Sequence, residues 1–220
     1  MQQITNIATK VEQAKKFIAE AIEKHGDKIA VSCSFGKDSI VLLHLARQVK
    51  PDIAVFSVLT RFKPKETFEY KDQIQKLWNL NLTVYQSDAE IEPNLHITNP
   101  DLCCKMLKVE PTKQALKNYD AWFAGLRRTE GRTRTDYEET QHNGSLIKYN
   151  PIIDWTELDI WKYIAINQIP THPWYKLGYR SLGCACCTKL VDDSETERAG
   201  RWIGTSKCGG ECGIHTQILK

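Results

Sequence analysis

No stretch of the 220-residue chain approaches the roughly 18 apolar residues that span a bilayer. The longest apolar run, IVLLHLA, is the length of a buried helix face. Charge of one sign is also scarce: Lys+Arg 30 against Asp+Glu 27 leaves a net +3, too mild to argue for nucleic acid as a partner. No internal repeat and no low-complexity linker interrupts the chain. The opening residues, MQQITNIATKVEQAKK, carry no apolar signal core, so a cytoplasmic location with no membrane contact is the expectation. With 41% hydrophobic and 26% charged residues, a core can form, which excludes a wholly disordered or collagen-like chain.

The pattern that is present alternates helix and strand. Val11, Ala14, Ile18, Ala21 and Ile22 share one helical face, with Gly26 as a stop. KIAVSC (28–33), DIAVFSV (52–58), NLTVYQ (81–86) and DAWFAG (120–125) are short strands. SIVLLHLARQV, KETFEYKDQIQKLWN, VEPTKQALKNY and TELDIWKYIAINQ are helices. Strands alternating with helices predict an α/β fold, a parallel twisted sheet flanked by helices. From about Ile169 neither period is sustained. The expected organisation is one α/β domain over 1–203 and a mobile, cysteine-bearing tail over 204–220.

Two segments sit where such a sheet presents its ligand crevice. VSCSFGKDS joins the first strand to a helix: Ser32, Ser34 and Ser39 bring hydroxyls, Gly36 allows a tight turn, and Lys37 and Asp38 open the helix. This suits a phosphate or sulfate at the helix N-terminus; an ordinary capped helix start is the plainer alternative. GLRRTEGRTR, after the fourth strand, packs Arg127, Arg128, Arg132 and Arg134 into one loop. Arginine forks grip phosphate or sulfate oxygens, although Asp136, Glu138 and Glu139 could equally balance a solvated loop. No aromatic residues interleave the arginines as stacking platforms for bases would.

Cysteine is abundant, with eight residues at 33, 103, 104, 184, 186, 187, 208 and 212. Reduced thiols in two clusters point to metal or thiol chemistry rather than a disulfide framework. Cys103–Cys104 and the C-x-x-C pair Cys184 and Cys187 offer four thiolates, the ligand count of an iron–sulfur cluster or a zinc. Adjacent cysteines fit a cubane better than a tetrahedral zinc, and counting alone does not place Cys186. In KCGGECGIHTQILK, Cys212 lies on a glycine-rich segment near His215, with Arg198 and Arg201 upstream. A thiolate favoured there is a nucleophile; a frayed end, or a Cys208–Cys212 disulfide, is the alternative.

SFGKDS resembles the SGGxDS loop of ATP pyrophosphatases and their relatives. The segments SFGKDS, DLCCKMLKVEP, WFAGLRRTEGRTR, YNPIIDWTELDIWKYI, GYRSLGCACCT, ERAGRW and ECGIH, in this order, resemble the thioredoxin-dependent adenylyl-sulfate (APS) and phosphoadenylyl-sulfate (PAPS) reductases. The resemblance implies an adenine nucleotide α-hydrolase-like fold and Cys212 as the nucleophile that attacks the substrate sulfur. AMP leaves, and thioredoxin releases sulfite from the resulting S-sulfocysteine. It implies Cys103, Cys104, Cys184 and Cys187 as ligands of a 4Fe–4S cluster, the mark of the APS-preferring branch. It assigns Lys108, Arg198, Arg201 and His215 to the sulfate end of the substrate. Ser32, Ser34, Gly125 and Arg134 fall to the nucleotide, with Gly36, Lys37, Asp38, Ser39, Arg127 and Arg128 beside them.

The chain departs from the family pattern where Leu59, Thr60 and Arg61 stand in place of Asp-Thr-Gly. Arg61 is there a candidate cation for a 3′-phosphate, which keeps PAPS open as a substrate. Cys186 replaces a frequent proline, and Cys33 and Cys208 are extra thiols. A homo-oligomer is compatible with the pattern. A tRNA-thiolating ATP pyrophosphatase would share the first loop but leave ECGIH unexplained, and a zinc-structured binding module would leave both unexplained.

Overall fold

The computed structural model describes residues 6–208, 210–216 and 218. Short runs of β-branched and small apolar residues form its central strands. β1 (Ile29–Ser32), β2 (Ala54–Val58), β3 (Leu82–Tyr85) and β4 (Ala121–Ala124) pair in parallel, in the registers Val31↔Val55, Phe56↔Thr83 and Val31↔Phe123. Two further strands, β5 (Thr140–Asn143) and β6 (Leu146–Tyr149), complete a six-stranded sheet of order β3-β2-β1-β4-β6-β5. β6 runs parallel to β4, and β5 antiparallel to β6. The sequence reading missed this hairpin because TQHN is polar and both strands are only four residues long; Gly144, at φ +56°, makes the turn between them.

Successive strand residues feed two different cores, as the period of two requires. Ile29, Val31 and Phe123 face the helices α1 (Ile7–His25), α2 (Lys37–Val49) and α7 (Glu157–Ile166). Ala30, Phe56 and Trp122 face α6 (Glu110–Leu116) on the other side. α1 opens on the Asn6 side chain, which accepts from the Ala8 N–H, and α7 opens on a Thr156–Asp159 capping box. α3 (Lys65–Trp78) flanks β2 and ends on Asn79 in the left-handed conformation.

Before α6, α4 (Leu95–Thr98) and α5 (Pro100–Cys104) lead into a π-helical stretch, Lys105–Val109, so that 100–116 is one continuous helical path. π-turns often accompany functional side chains, and this one carries Lys108, which is buried. Past α7 there are no strands among the described residues. These residues form loops, short 3₁₀ turns and α8 (Gly213–Thr216), as the lost periodicity predicts. No helix among the described residues is long and apolar enough to cross a membrane.

The strand order reverses at β1 and β4, so the loops after these two strands flank the crevice of the sheet. Gly125 brings them together: a Cβ there would lie 3.0 Å from the Asp38 carbonyl carbon, tighter than ordinary packing allows. Phe35, at φ +61°, takes a left-handed conformation that costs a non-glycine residue about 1–2 kcal/mol. Its fully buried ring, edge-on to Tyr70, offsets that strain.

Candidate active site

A cleft of about 150 Å³ lies over the β1 and β4 loops. Ser34, Gly36, Asp38 and Ser39 line it from the first loop, and Gly125 and Arg134 from the second. Lys108 enters from the π-turn, and Arg198, Arg201, Cys212 and His215 from the C-terminal region. These sequence-predicted residues, scattered over 182 positions from 34 to 215, share one wall system. A groove of about 810 Å³ between α1 and α7 is larger but offers a satisfied Lys10–Asp159 pair at 2.6 Å and no thiol.

Four other expected residues are not brought to the cleft. Ser32 ends β1 beneath the loop. Lys37 is buried, its ammonium 2.8 Å from Glu197 and bonded to the Arg180 carbonyl. Arg127 is fully buried; it pairs with Asp38 and, at 2.6 Å, with Glu197. Together these groups tie the first loop, the arginine loop and the 197 region into one frame. Removing a member of a buried pair strands its partner's charge, so these side chains hold the site's shape. Arg128 turns away to Asp154 and the Tyr137 carbonyl. Arginines that look alike in sequence thus divide by what carboxylates surround them.

The tail residues expected to swing are seated in the cleft in this structure; Gly209, Gln217, Leu219 and Lys220 lie outside the described residues. Glu211 is buried between Arg134, at 2.5 and 3.1 Å, and Arg198, at 2.9 Å. Its Oε1 also accepts the Cys212 N–H at 2.8 Å. Burial pushes the Glu211 pKa up, but the two guanidinium groups outweigh it and hold the carboxyl well below the usual range. Glu130 also pairs with Arg134. Burial drives the His215 pKa well down, and its Nδ1 finds no partner among the described residues.

Seated this way, the Cys212 thiol packs with Cys104, Cys184, Cys187 and Trp202. Its pKa falls to about 5, through a hydrogen bond from Cys104 and, against burial, the Lys108 ammonium and the Ile214 N–H. Lys108 shifts upward: burial disfavours its charge, and the thiols of Cys184, Cys212 and Cys104 outweigh that. Arg201 spans the Leu182 carbonyl at 3.0 Å and the Cys187 carbonyl at 3.3 Å, and stacks on Trp202 at 4.5 Å. A Cβ at 183 would meet the Arg201 guanidinium at 2.1 Å, so a larger residue there would displace that fork.

Cys103, Cys104, Cys184, Cys186 and Cys187 line a second, smaller cavity directly behind Lys108 and Trp202. Thr60 Oγ1 lies 3.1 Å from Cys184 Sγ, and Cys186 Sγ 3.7 Å from Cys187 Sγ. Neighbours on a helix project about 100° apart. Cys103 and Cys104 can therefore bind one group only if it is broad enough to meet both, as a four-iron cubane is. No three His, Cys, Asp or Glu residues among the described ones are grouped for a single metal ion. The donor chemistry fits a cluster.

Sequence reasoning missed Glu211, Lys63 and Tyr175 as cleft residues. Glu211 was visible in ECGIH, but a lone glutamate in a cationic neighbourhood has no pattern of its own. Lys63 lies two residues past the Leu59–Thr60–Arg61 stretch that departs from the family pattern. Tyr175 accepts the Lys37 N–H at 2.7 Å across 138 residues, a contact no local signal announces.

The phosphoadenosine phosphosulfate reductase domain matches residues 28–190. A protein of Halalkalibacterium halodurans named adenosine 5′-phosphosulfate reductase is 38% identical over 206 residues, covering 89% of this chain and 88% of its own. One of the same name from Bacillus cereus is 35% identical over 214 residues, covering 93% and 91%. Among solved structures, the phosphoadenylyl-sulfate reductase of Candida auris, in a phosphate complex, superposes with a TM-score of 0.69 at 21% identity, covering 84% of this chain and 94% of that one. The FMN adenylyltransferase of Candida glabrata, at 0.65 and 16%, covers 93% and 78%, which shows the same fold carrying another activity. By sequence and by fold, this chain belongs to the phosphoadenosine phosphosulfate reductase family.

Proposed function

We propose that the protein converts adenylyl sulfate to sulfite and AMP, with Cys212 as nucleophile and thioredoxin as the thiol donor. The observation that carries this is the seat of Cys212, where a cationic cleft meets a cavity of five further thiols beside Lys108. The Cys212 thiolate attacks the sulfate sulfur, an S–S bond forms, and the S–O bond to phosphate breaks, its electron pair leaving with AMP. A thioredoxin thiolate then attacks the Cys212 sulfur and sulfite departs with the S–S pair. A second thiol resolves the mixed disulfide, so the thiols supply both electrons. AMP is a good leaving group, and positioning with charge neutralisation supplies most of the rate. Adenylyl sulfate is preferred to its 3′-phosphorylated form because Arg61, the candidate 3′-phosphate cation, is exposed, bonded to the Ala89 carbonyl, and does not line the cleft.

The test is the intact mass of the reduced protein after exposure to adenylyl sulfate, and separately to PAPS, without thioredoxin. One SO₃ added to the peptide holding Cys212, from adenylyl sulfate alone, is the expected result. Equal labelling by both nucleotides would move the substrate assignment, and no adduct from either, with ATP cleaved instead, would replace the reaction.

Cys103, Cys104, Cys184 and Cys187 would hold a 4Fe–4S cluster. When bound, it supplies a fixed charge beside Lys108 and a covalent tie between α5 and the 184–187 turn. Protein purified without oxygen is expected to be brown, with iron and sulfide in equal amounts. Cys184→Ser should lose that colour, whereas Cys33→Ser should keep it. A colourless, folded protein carrying zinc would overturn the cluster.

A further inference from the structure

The cleft's positive charges are not equally free. Arg134 and Arg198 are spent on Glu211, and Arg134 on Glu130 as well. Arg180 pairs with Glu157, and three cleft cations remain without a carboxylate partner among the described residues: Lys63, Lys108 and Arg201. All three line the same cleft as Cys212. Arg201 is braced by backbone carbonyls, which orient its fork and leave its charge intact. The ammonium groups of Lys63 and Lys108 donate to no described acceptor.

Lys63 is placed there by a tight turn. Its N–H donates to the Thr60 carbonyl at 3.0 Å, and the Phe62 carbonyl between them accepts the Ala185 N–H at 2.7 Å. Thr60 also touches Cys184. The turn after β2 is thus clamped to the cysteine segment, and the half-buried Lys63 side chain is directed to the cysteine end of the cleft. An anion arriving among these groups would supply the counterion that none of the three cations has.

We propose that Lys63 is a sulfate-binding residue, which seats the sulfonyl oxygens of the substrate against Cys212 together with Lys108 and Arg201. The assignment rests on the sulfonucleotide reading above. It gives the turn that follows the departing Leu59–Thr60–Arg61 stretch a function in substrate binding. It also explains how a chain that spends two arginines on its own tail still meets an incoming dianion with unpaired cations.

The experiment measures equilibrium binding of AMP, adenylyl sulfate and PAPS in a Cys212→Ser background, where no reaction follows. Lys63→Ala should weaken adenylyl sulfate about 10- to 100-fold, the range of a charge-assisted hydrogen bond. AMP, which lacks the sulfate, should change less than about twofold, and Lys63→Arg should restore most of the affinity. Equal losses for AMP and adenylyl sulfate would move Lys63 to the α-phosphate. A loss confined to PAPS would move it to the 3′-phosphate. Either result, or no loss at all, overturns the proposal. If the parent chain itself gains no affinity from the sulfate, the sulfonucleotide reading falls first; if it does gain and Lys63→Ala is indifferent, only the Lys63 assignment falls. Visible absorption of each variant reports that the cysteine segment is still assembled.

Discussion

Cys212→Ser lowers sulfite release by at least about 10³-fold while adenylyl sulfate still binds. The size follows from what the sulfur does. It is the attacking atom, and its lone pair becomes the S–S bond whose later cleavage releases sulfite. A serine oxygen at the same place could at most pass the sulfonyl group to water and give sulfate, which is no reduction. The hydroxyl also stays protonated beside Lys108, where the thiol is favoured as the anion. Binding survives because Lys63, Lys108 and Arg201 are supplied by other segments. Cys208→Ser is the matched control: Cys208 is exposed and does not line the cleft. Steady-state sulfite assays with a thioredoxin, beside binding of the unreacted nucleotide, decide it. Sulfite release that survives Cys212→Ser and disappears in Cys208→Ser would transfer the chemistry to the other tail thiol.

Much of this architecture is legible in the sequence because it is written in short-range periods. IAVS, AVFSV and AWFA are apolar enough to be strands buried on both faces, and the helices between them carry clear 3.6-residue stripes. The β5–β6 hairpin was not legible, since TQHN, at the sheet edge, is polar throughout and each strand is only four residues long. In the site, Ser34, Arg198, Arg201 and Cys212 could be named in advance because each sits in a segment whose residue types suggest chemistry, whereas Lys108 was named only through the family resemblance. The sorting of the arginines could not. Arg127 and Arg134 are seven positions apart in one loop, yet Arg127 faces Glu197, which braces the frame, and Arg134 faces Glu211, which holds the tail. Those partners lie 70 and 77 residues away, beyond any local pattern. Long-range charge pairing is decided by the fold, so it becomes visible only once the strands are in order.

Glu211→Gln should lower the rate of Cys212 sulfonation about 100-fold and, in the opposite direction, tighten adenylyl sulfate binding. Both follow from one contact. The Glu211 carboxylate lies between two buried guanidinium groups and accepts the N–H of the next residue, so it fixes where the Cys212 sulfur sits. Losing one partner of a buried charge pair costs about 3–5 kcal/mol. Only part of that is expected to appear as lost tail docking, because Glu130 still pairs with Arg134 and the amide still accepts one bond. Of the freed charge, Arg198 gains most as an anion site, being left with no carboxylate in ion-pair contact among the described residues. KM should therefore fall together with kcat. Simple destabilisation would not produce that combination, since it removes active molecules without improving the binding of those that remain. Glu211→Asp keeps the charge but shortens the reach, and should recover part of the rate. The dependence on pH has a definite sign. A carboxylate whose pKa is depressed in the docked tail contributes its full docking strength above the ordinary value of about 4.3 and loses it as the pH falls below that. The wild-type tail should thus stay docked throughout the neutral range. Single-turnover sulfonation, followed by mass at several nucleotide concentrations, separates the two effects. An unchanged rate, or a KM that rises, would show that Cys212 is held in place by something other than the Arg134–Glu211–Arg198 contact.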